Sequence, residues 1–461
     1  MDYSAANPGL WSFVLELGII SGIVLLCNVL RRKIPFIRKS LMPLSVLSGF
    51  VLLLLKVLGV YQPDAELLEM LVFHCIALGF IAMSLRTRAR PKGLGHQLTG
   101  LKSGALIVST YLVQAILGLV ITLLLSYTLM PNLFKASGLL LPMGFGQGPG
   151  QANNVGTSYE MLGFSGGRSF GLAIAAAGYL CACIIGVITL NIWSKKGLLR
   201  AGERDKDLET SAADYFQEKN EIPVSDSIDR LSVQVCLVMV SYLLTYLITL
   251  GITSALTAIA PGLAKMLNSL LWGFNFIIGS VVALLLRIGL DKCHKSGLIT
   301  RQYQNNYLLN RISGFFFDIM IVSGIASINP EDISGLLLPF VLLALTGGAG
   351  TWFYLRHICK AVYPGYYREG LISMYGMLTG TIGSGILLLR EIDPELSTPA
   401  ANNLVIGSSY GIIFGAPLLI LISLAAESTL MCFVTLGLAS VYFAVLLVLI
   451  YKVKGKNISE K

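Results

Sequence analysis

Apolar residues fill long runs of this chain, and short basic or glycine-rich stretches interrupt them. A run near 20 residues with almost no charge is long enough to cross a bilayer as a helix. By that measure the first part of the sequence predicts crossing helices at 10–30, 41–59, 66–85, 103–129 and 167–193. The second part predicts them at 231–259, 262–287, 311–329, 333–355 and 400–425. One more, 429–451, has no counterpart in the first part. Residues 138–165 and 366–393 are long enough to cross but are broken by glycines and polar groups. Such breaks are costly at membrane depth unless the backbone lines a space enclosed by protein. A hydrophilic stretch, 194–230, carries seven Lys/Arg and nine Asp/Glu and separates the two parts.

Composition agrees with the pattern. Of 461 residues, 55% are hydrophobic and only 13% are charged, against about 25% charged in soluble domains. The expected class is an all-α polytopic membrane protein in the lipid bilayer. The net charge of +9 fits basic cytoplasmic loops better than a nucleic-acid partner, and none is expected. Eight cysteines are scattered, without a Cys-x-x-Cys pair or metal-ligand spacing to the four histidines. They read as packing residues, not disulfides or zinc ligands. The first apolar run lacks a basic leader and a small-residue cleavage site, so it reads as a retained span. The 194–230 stretch holds no phosphate-binding loop, so a transporter of this sequence would run on an ion gradient.

The basic residues predict orientation. With the N-terminus outside and the C-terminus in the cytoplasm, 29 of the 34 Lys/Arg fall on the cytoplasmic side, as the positive-inside rule requires. The exceptions are Lys56, Lys135, Arg168, Lys265 and Arg390. Five crossings in the first part reverse the sense of the second. The expectation is two inverted five-helix repeats, 1–193 and 231–425, each with a reentrant hairpin, joined by the cytoplasmic linker 194–230. Residues 426–461 add an extra C-terminal helix and tail. Paired broken segments in opposed halves mark secondary transporters that bind substrate near the midplane.

The broken segments carry the chemistry. In the first, Gly144, Gly146, Gly148 and Gly150 alternate around Pro149, followed by Gln151, Asn153, Asn154, Thr157 and Ser158. In the second, Thr379, Thr381 and Ser384 alternate with Gly380, Gly383 and Gly385. Glycines allow a tight turn and close approach of a ligand to the backbone. Free N–H groups at the hairpin tips suit a carboxylate. Unwound carbonyls and hydroxyl oxygens suit a hard cation such as sodium. The bland alternative is that these glycines only let helices pack closely, which is also the reading of the small-residue run 171–178.

Few charges lie within the predicted spans. Asp318, inside 311–329, is a candidate for a sodium or proton site, with Asn153 and Thr381 as further sodium ligands; the alternative is an aspartate that fixes helix packing. Arg390, after the second glycine turn, would face an anionic substrate or pair with Glu391 or Asp393. Arg168 reads as a helix-end anchor, and Glu16 and His74 as structural residues.

Two glycine-rich reentrant segments, one per inverted half, resemble the bacterial sodium/glutamate symporters, a family related in architecture to the 2-hydroxycarboxylate transporters. The resemblance spans most of the chain and is sharpest over 376–394, with 144–158 as its partner. It implies sodium-coupled glutamate uptake by an elevator-like movement, a homodimer, a bacterial inner-membrane location and no cofactor beyond sodium as coupling ion. It carries the family's hairpin motifs onto Gly146, Gly148, Gly150, Thr379, Gly380, Thr381, Gly383 and Ser384. This chain is longer, and reads Gly146-Gln147-Gly148-Pro149-Gly150 where a Gly-His-Gly-Thr-like run is expected. The alternatives are a di- or tricarboxylate transporter, a cation/proton antiporter using Asp318, and, outside transport, a membrane-embedded enzyme. The enzyme is disfavoured because His74, the one histidine within a predicted span, has no helical ligand partner.

Overall fold

The computed structural model describes residues 4, 7–86, 94–196, 227–259, 271–273, 275–298, 303–393 and 398–452. Most of the 194–230 linker and part of the expected 262–287 helix lie outside these. Among the described residues the chain is helical, without strands. The helices are α1 (Pro8–Lys33), α2 (Pro35–Lys39), α3 (Leu44–Val57), α4 (Ala65–Leu85), α5 (Leu94–Thr128), α6 (Pro149–Met161), α7 (Gly167–Lys195) and α8 (Ser227–Ile259). They continue with α9 (Asn275–Lys295), α10 (Asn306–Ala326), α11 (Pro330–Ile333), α12 (Leu337–Val362), α13 (Tyr367–Thr379), α14 (Ile382–Arg390), α15 (Ala400–Glu427) and α16 (Thr429–Lys452).

Among the described residues, nine helical segments are long and apolar enough to cross a membrane, which supports a multi-pass membrane protein. The expected crossing at 41–59 is shorter: α3 has 14 residues, about 21 Å of helix against a hydrocarbon core of about 30 Å. Its punctuation explains this. Pro43 caps its start, and Gly59 takes a left-handed φ of 70° just past its end, a conformation that favours glycine. Conversely, α5 begins nine residues before the apolar run and has 35 residues, because its polar first turns remain helical.

The described residues form two compact units. One draws on Met1–Asp64, Pro91–Arg204 and Gly324–Lys461, the other on Ala65–Arg90 and Asp205–Ser323. Each takes residues from both sequence halves.

The second unit packs α4, α8, α9 and most of α10 around Leu78, Ile81, Leu85, Val238, Ala283 and Leu309. Gly79 admits the Phe317 ring, and Ser313 Oγ donates to the Gly79 carbonyl at 3.0 Å. Along α8, Ser241, Thr245, Thr249 and Thr253 recur every four residues, and each hydroxyl donates to the carbonyl four residues back. Back-bonding of this kind satisfies a hydroxyl inside an apolar helix without a partner helix.

In the first unit, α5 is the central post. Gly100 and Gly104 on α5 meet Ile406 and Tyr410 on α15, while Gly407 on α15 meets Ser103 and Ile107. Two small-xxx-small stripes thus let these backbones approach closely. Tyr354 of α12 donates to Ser109 Oγ at 2.7 Å, and Tyr363 to Ser103 Oγ at 2.8 Å. At the first turn of α7, Ser169 Oγ donates to Asp332 Oδ2 at 2.7 Å and accepts from the Asn329 N–H at 3.3 Å. Lys56 Nζ donates to Asn329 Oδ1 at 2.6 Å. All eight cysteines are free thiols.

Candidate functional site: two chain reversals against one helix

Both glycine-rich segments fold back on themselves, and both belong to the first unit. The first is a wide, π-type helical turn, Pro142–Gln147, followed by α6. Its path is traced by what lies against the bare faces of glycines. Leu140 and Ala152 both abut Gly171 of α7, Gly144 abuts Ala175, and Gly156 abuts Gly167. The chain therefore runs along α7 in one direction and returns along it in the other. It reverses at Gly148, where φ is 88°; only glycine adopts this without strain. Pro149 then opens α6, where its missing N–H costs nothing.

The second reversal joins α13 to α14 through Gly380 and Thr381. Its two arms touch through glycines: a Cβ on Gly376 would lie 2.9 Å from the Gly385 Cα. Thr381 caps α14, its hydroxyl oxygen accepting from the Ser384 N–H at 3.4 Å. The Thr379 hydroxyl, fully buried, donates to the Tyr375 carbonyl at 2.8 Å.

The two tips meet the same pair of residues on α7. The Thr379 carbonyl rests on the bare face of Gly178, as does the Phe145 ring of the first reversal. Gly380 faces the Tyr179 ring, and Gly148 faces the Tyr179 hydroxyl. A third group ties the tips together. Gln114, fully buried on α5, donates from Nε2 to the Leu378 carbonyl and to Thr351 Oγ1 of α12, both at 2.9 Å. Its Oε1 lies toward Gly146, where a Cβ would stand 3.1 Å away.

Several buried oxygens in and beside these segments lack a hydrogen-bond partner among the described residues: Gln114 Oε1, Gln151 Oε1, Asn153 Oδ1, Thr157 Oγ1 and Ser384 Oγ. A buried polar atom without a partner costs about 1–3 kcal/mol, so a concentration of them marks a place built to meet something else. Three of the five are amide oxygens, which only accept. Alongside them, in the first turns of α6 and α14, stand the backbone N–H groups of Gly150, Gln151, Ile382 and Gly383, which have no helical acceptor. Donors for an anion and acceptors for a cation or an ammonium are thus held in the same two segments.

The sequence-derived candidates divide accordingly. Gly146, Gly148, Gly150 and Gln151 lie at the first tip, with Asn153 and Asn154 about a turn further along α6; Thr379, Gly380, Thr381, Gly383 and Ser384 lie at the second. Arg390 closes α14, eight residues beyond Ile382, or about 12 Å of helix from the tip. Asp393, three residues on, accepts from the Thr398 N–H at 2.8 Å and hydroxyl at 2.6 Å. Asp318 belongs to the second unit, with an exposed side chain on α10. Among the described residues no three His, Cys, Asp or Glu side chains group as metal ligands.

Three other residues that the sequence reads as structural have partners. Glu16, buried on α1, accepts from the Tyr61 hydroxyl. Burial first, then this contact, raises the Tyr61 phenol pKa, so it remains a donor at neutral pH. His74 Nδ1 lies 2.7 Å from the Tyr242 hydroxyl. Arg168 contributes its backbone N–H to Glu160 Oε1 at 3.0 Å, near the start of α7.

Sequence reasoning missed Gln114, Tyr179 and Thr351. Gln114 had a signal, as a lone amide within an apolar run, and Thr351 ends a third glycine-rich run, 346–351. Gly347 of that run admits Leu141 and Phe145, and Gly348 admits Cys181. The sequence matches no family model and no curated protein.

Proposed function

We propose that this chain is a sodium-coupled secondary transporter that imports a small anionic substrate, glutamate by preference. The observation that carries the reading is the convergence of both reversal tips on Gly178 and Tyr179, beside buried oxygens that lack partners among the described residues. In this reading the two reversals are reentrant hairpins that enter from opposite sides of a bacterial inner membrane, within inverted repeats. The N-terminus is outside and the C-terminus is in the cytoplasm, as the basic residues favour. Backbone N–H groups at the starts of α6 and α14 receive substrate carboxylates. Sodium takes oxygen ligands from the hairpins, with Asn153 and Thr381 as the proposed set. Bound sodium adds positive charge where the anion sits, so each ligand strengthens the binding of the other by the same factor. The protein works as a homodimer in an elevator-type cycle.

The test is uptake of a panel of labelled anions into proteoliposomes, with and without an inward sodium gradient. Sodium-stimulated glutamate accumulation is expected. Uptake of no anion under either condition would refute transport, and sodium-independent uptake would refute the coupling.

A further inference from the structure

We propose that Gln114 is a specificity-determining residue that accepts a hydrogen bond from the substrate's ammonium group, so that the site selects an amino acid over the matching dicarboxylate. This rests on the transport reading above. The orientation of the amide follows from its partners. The Leu378 carbonyl can only accept, so the atom 2.9 Å from it is the donor Nε2. Oε1 is then the other end, directed toward Gly146 near the first tip. The amide therefore spans the two tips, with both N–H groups engaged on the second tip and α12. Its acceptor is fully buried and has no donor among the described residues.

A dicarboxylate brings only acceptors and would leave Oε1 unmet. An α-amino acid brings three N–H donors on one cation. Its carboxylates take the helix-start N–H groups, and its ammonium takes the oxygen that those groups cannot serve. A site that hydrogen-bonds a polar group rejects the analogue lacking it more strongly than a pocket discriminates by size.

Calorimetry on the purified full-length protein would compare glutamate with glutarate, which lacks only the amino group, at saturating sodium. The wild type should bind glutamate at least tenfold more tightly. Gln114→Met keeps the side-chain length and removes the acceptor, and should erase that preference. Thr351→Val removes one bond that orients the amide but leaves Oε1, and should keep it. Equal binding of glutarate and glutamate by the wild type would overturn the assignment while leaving anion transport standing, and needs no variant to fold. An unchanged glutamate-to-glutarate ratio in a folded Gln114→Met protein would overturn it as well. So would a variant whose only change is weaker sodium activation, since Oε1 would then serve the cation. Binding of neither ligand by the wild type would remove the transport reading and this inference together.

Discussion

The carbonyl oxygen of Thr379 occupies the place where a side chain on Gly178 would stand. This contact joins the second glycine segment to α7 without any side chain of α7 between them. Gly178→Ala would push a methyl group into that carbonyl and against Phe145, whose Cδ1 would lie 3.0 Å away. Overpacking of this kind typically costs about 1–3 kcal/mol. Uptake in proteoliposomes is expected to fall at least tenfold, with a lowered midpoint in thermal unfolding. Full uptake by Gly178→Ala would show that the tips need not rest on α7.

Thr381 acts on the second tip as a helix cap, through the Ser384 N–H. Loss of a threonine cap costs about 0.5–2 kcal/mol. Thr381→Ala should therefore raise the half-saturating substrate concentration, and Thr381→Ser should restore most of it. Thr379→Ala removes a hydroxyl that donates within its own helix, so its effect should be the smaller of the two. Concentration dependence of uptake in the three variants orders them, and a larger defect in Thr379→Ala would reverse these roles.

Sodium dependence tests Asp318. An aspartate within an apolar span is by default a candidate for an ion or proton pathway. Asp318→Asn is expected to weaken sodium activation at least tenfold, or roughly 1.4 kcal/mol. If the sodium titration of uptake is unchanged, Asp318 has no part in coupling.

Opposite entry of the two hairpins is a question of sidedness. Leu162, after α6, is exposed, and Gly365, between α12 and α13, has open space where a side chain would go. In a background without native cysteines, Leu162→Cys should react with an impermeant maleimide from outside the cell. Gly365→Cys should react only from the cytoplasmic side. Labelling of both from one side would rule out inverted repeats.

The two glycine segments were legible because glycine and amide residues violate the apolar pattern around them, and the structure forms a chain reversal at each. The apolar runs likewise anticipate the long helices. What local pattern does not carry is the meeting of distant parts. Nothing near Gly178 names Thr379, some 200 residues later, as its neighbour. Gln114 reads as an isolated polar residue until α12 and α13 are placed beside it. The shortness of α3 was written in Pro43 and Gly59, but the apolar run between them reads as a longer helix. The two compact units were invisible for the same reason as Gln114: each is assembled from both halves of the chain.

The glycines of α7 act as a keyed seam. Gly171, Gly178 and Gly186 follow at intervals of seven and eight residues, and each is already filled: by the Ala152 carbonyl, the Thr379 carbonyl and the Leu388 side chain. One turn away from Gly178 in either direction stand Ile174, Ala175, Cys181 and Ala182, all of which carry a Cβ. A slide of the second hairpin by a single turn, about 5.4 Å, would drive its carbonyl into a side chain. The next bare position lies two turns off, at about 11 Å, and belongs to another occupant. The seam therefore has one registration, and any large displacement of either tip carries α7 and the other tip with it.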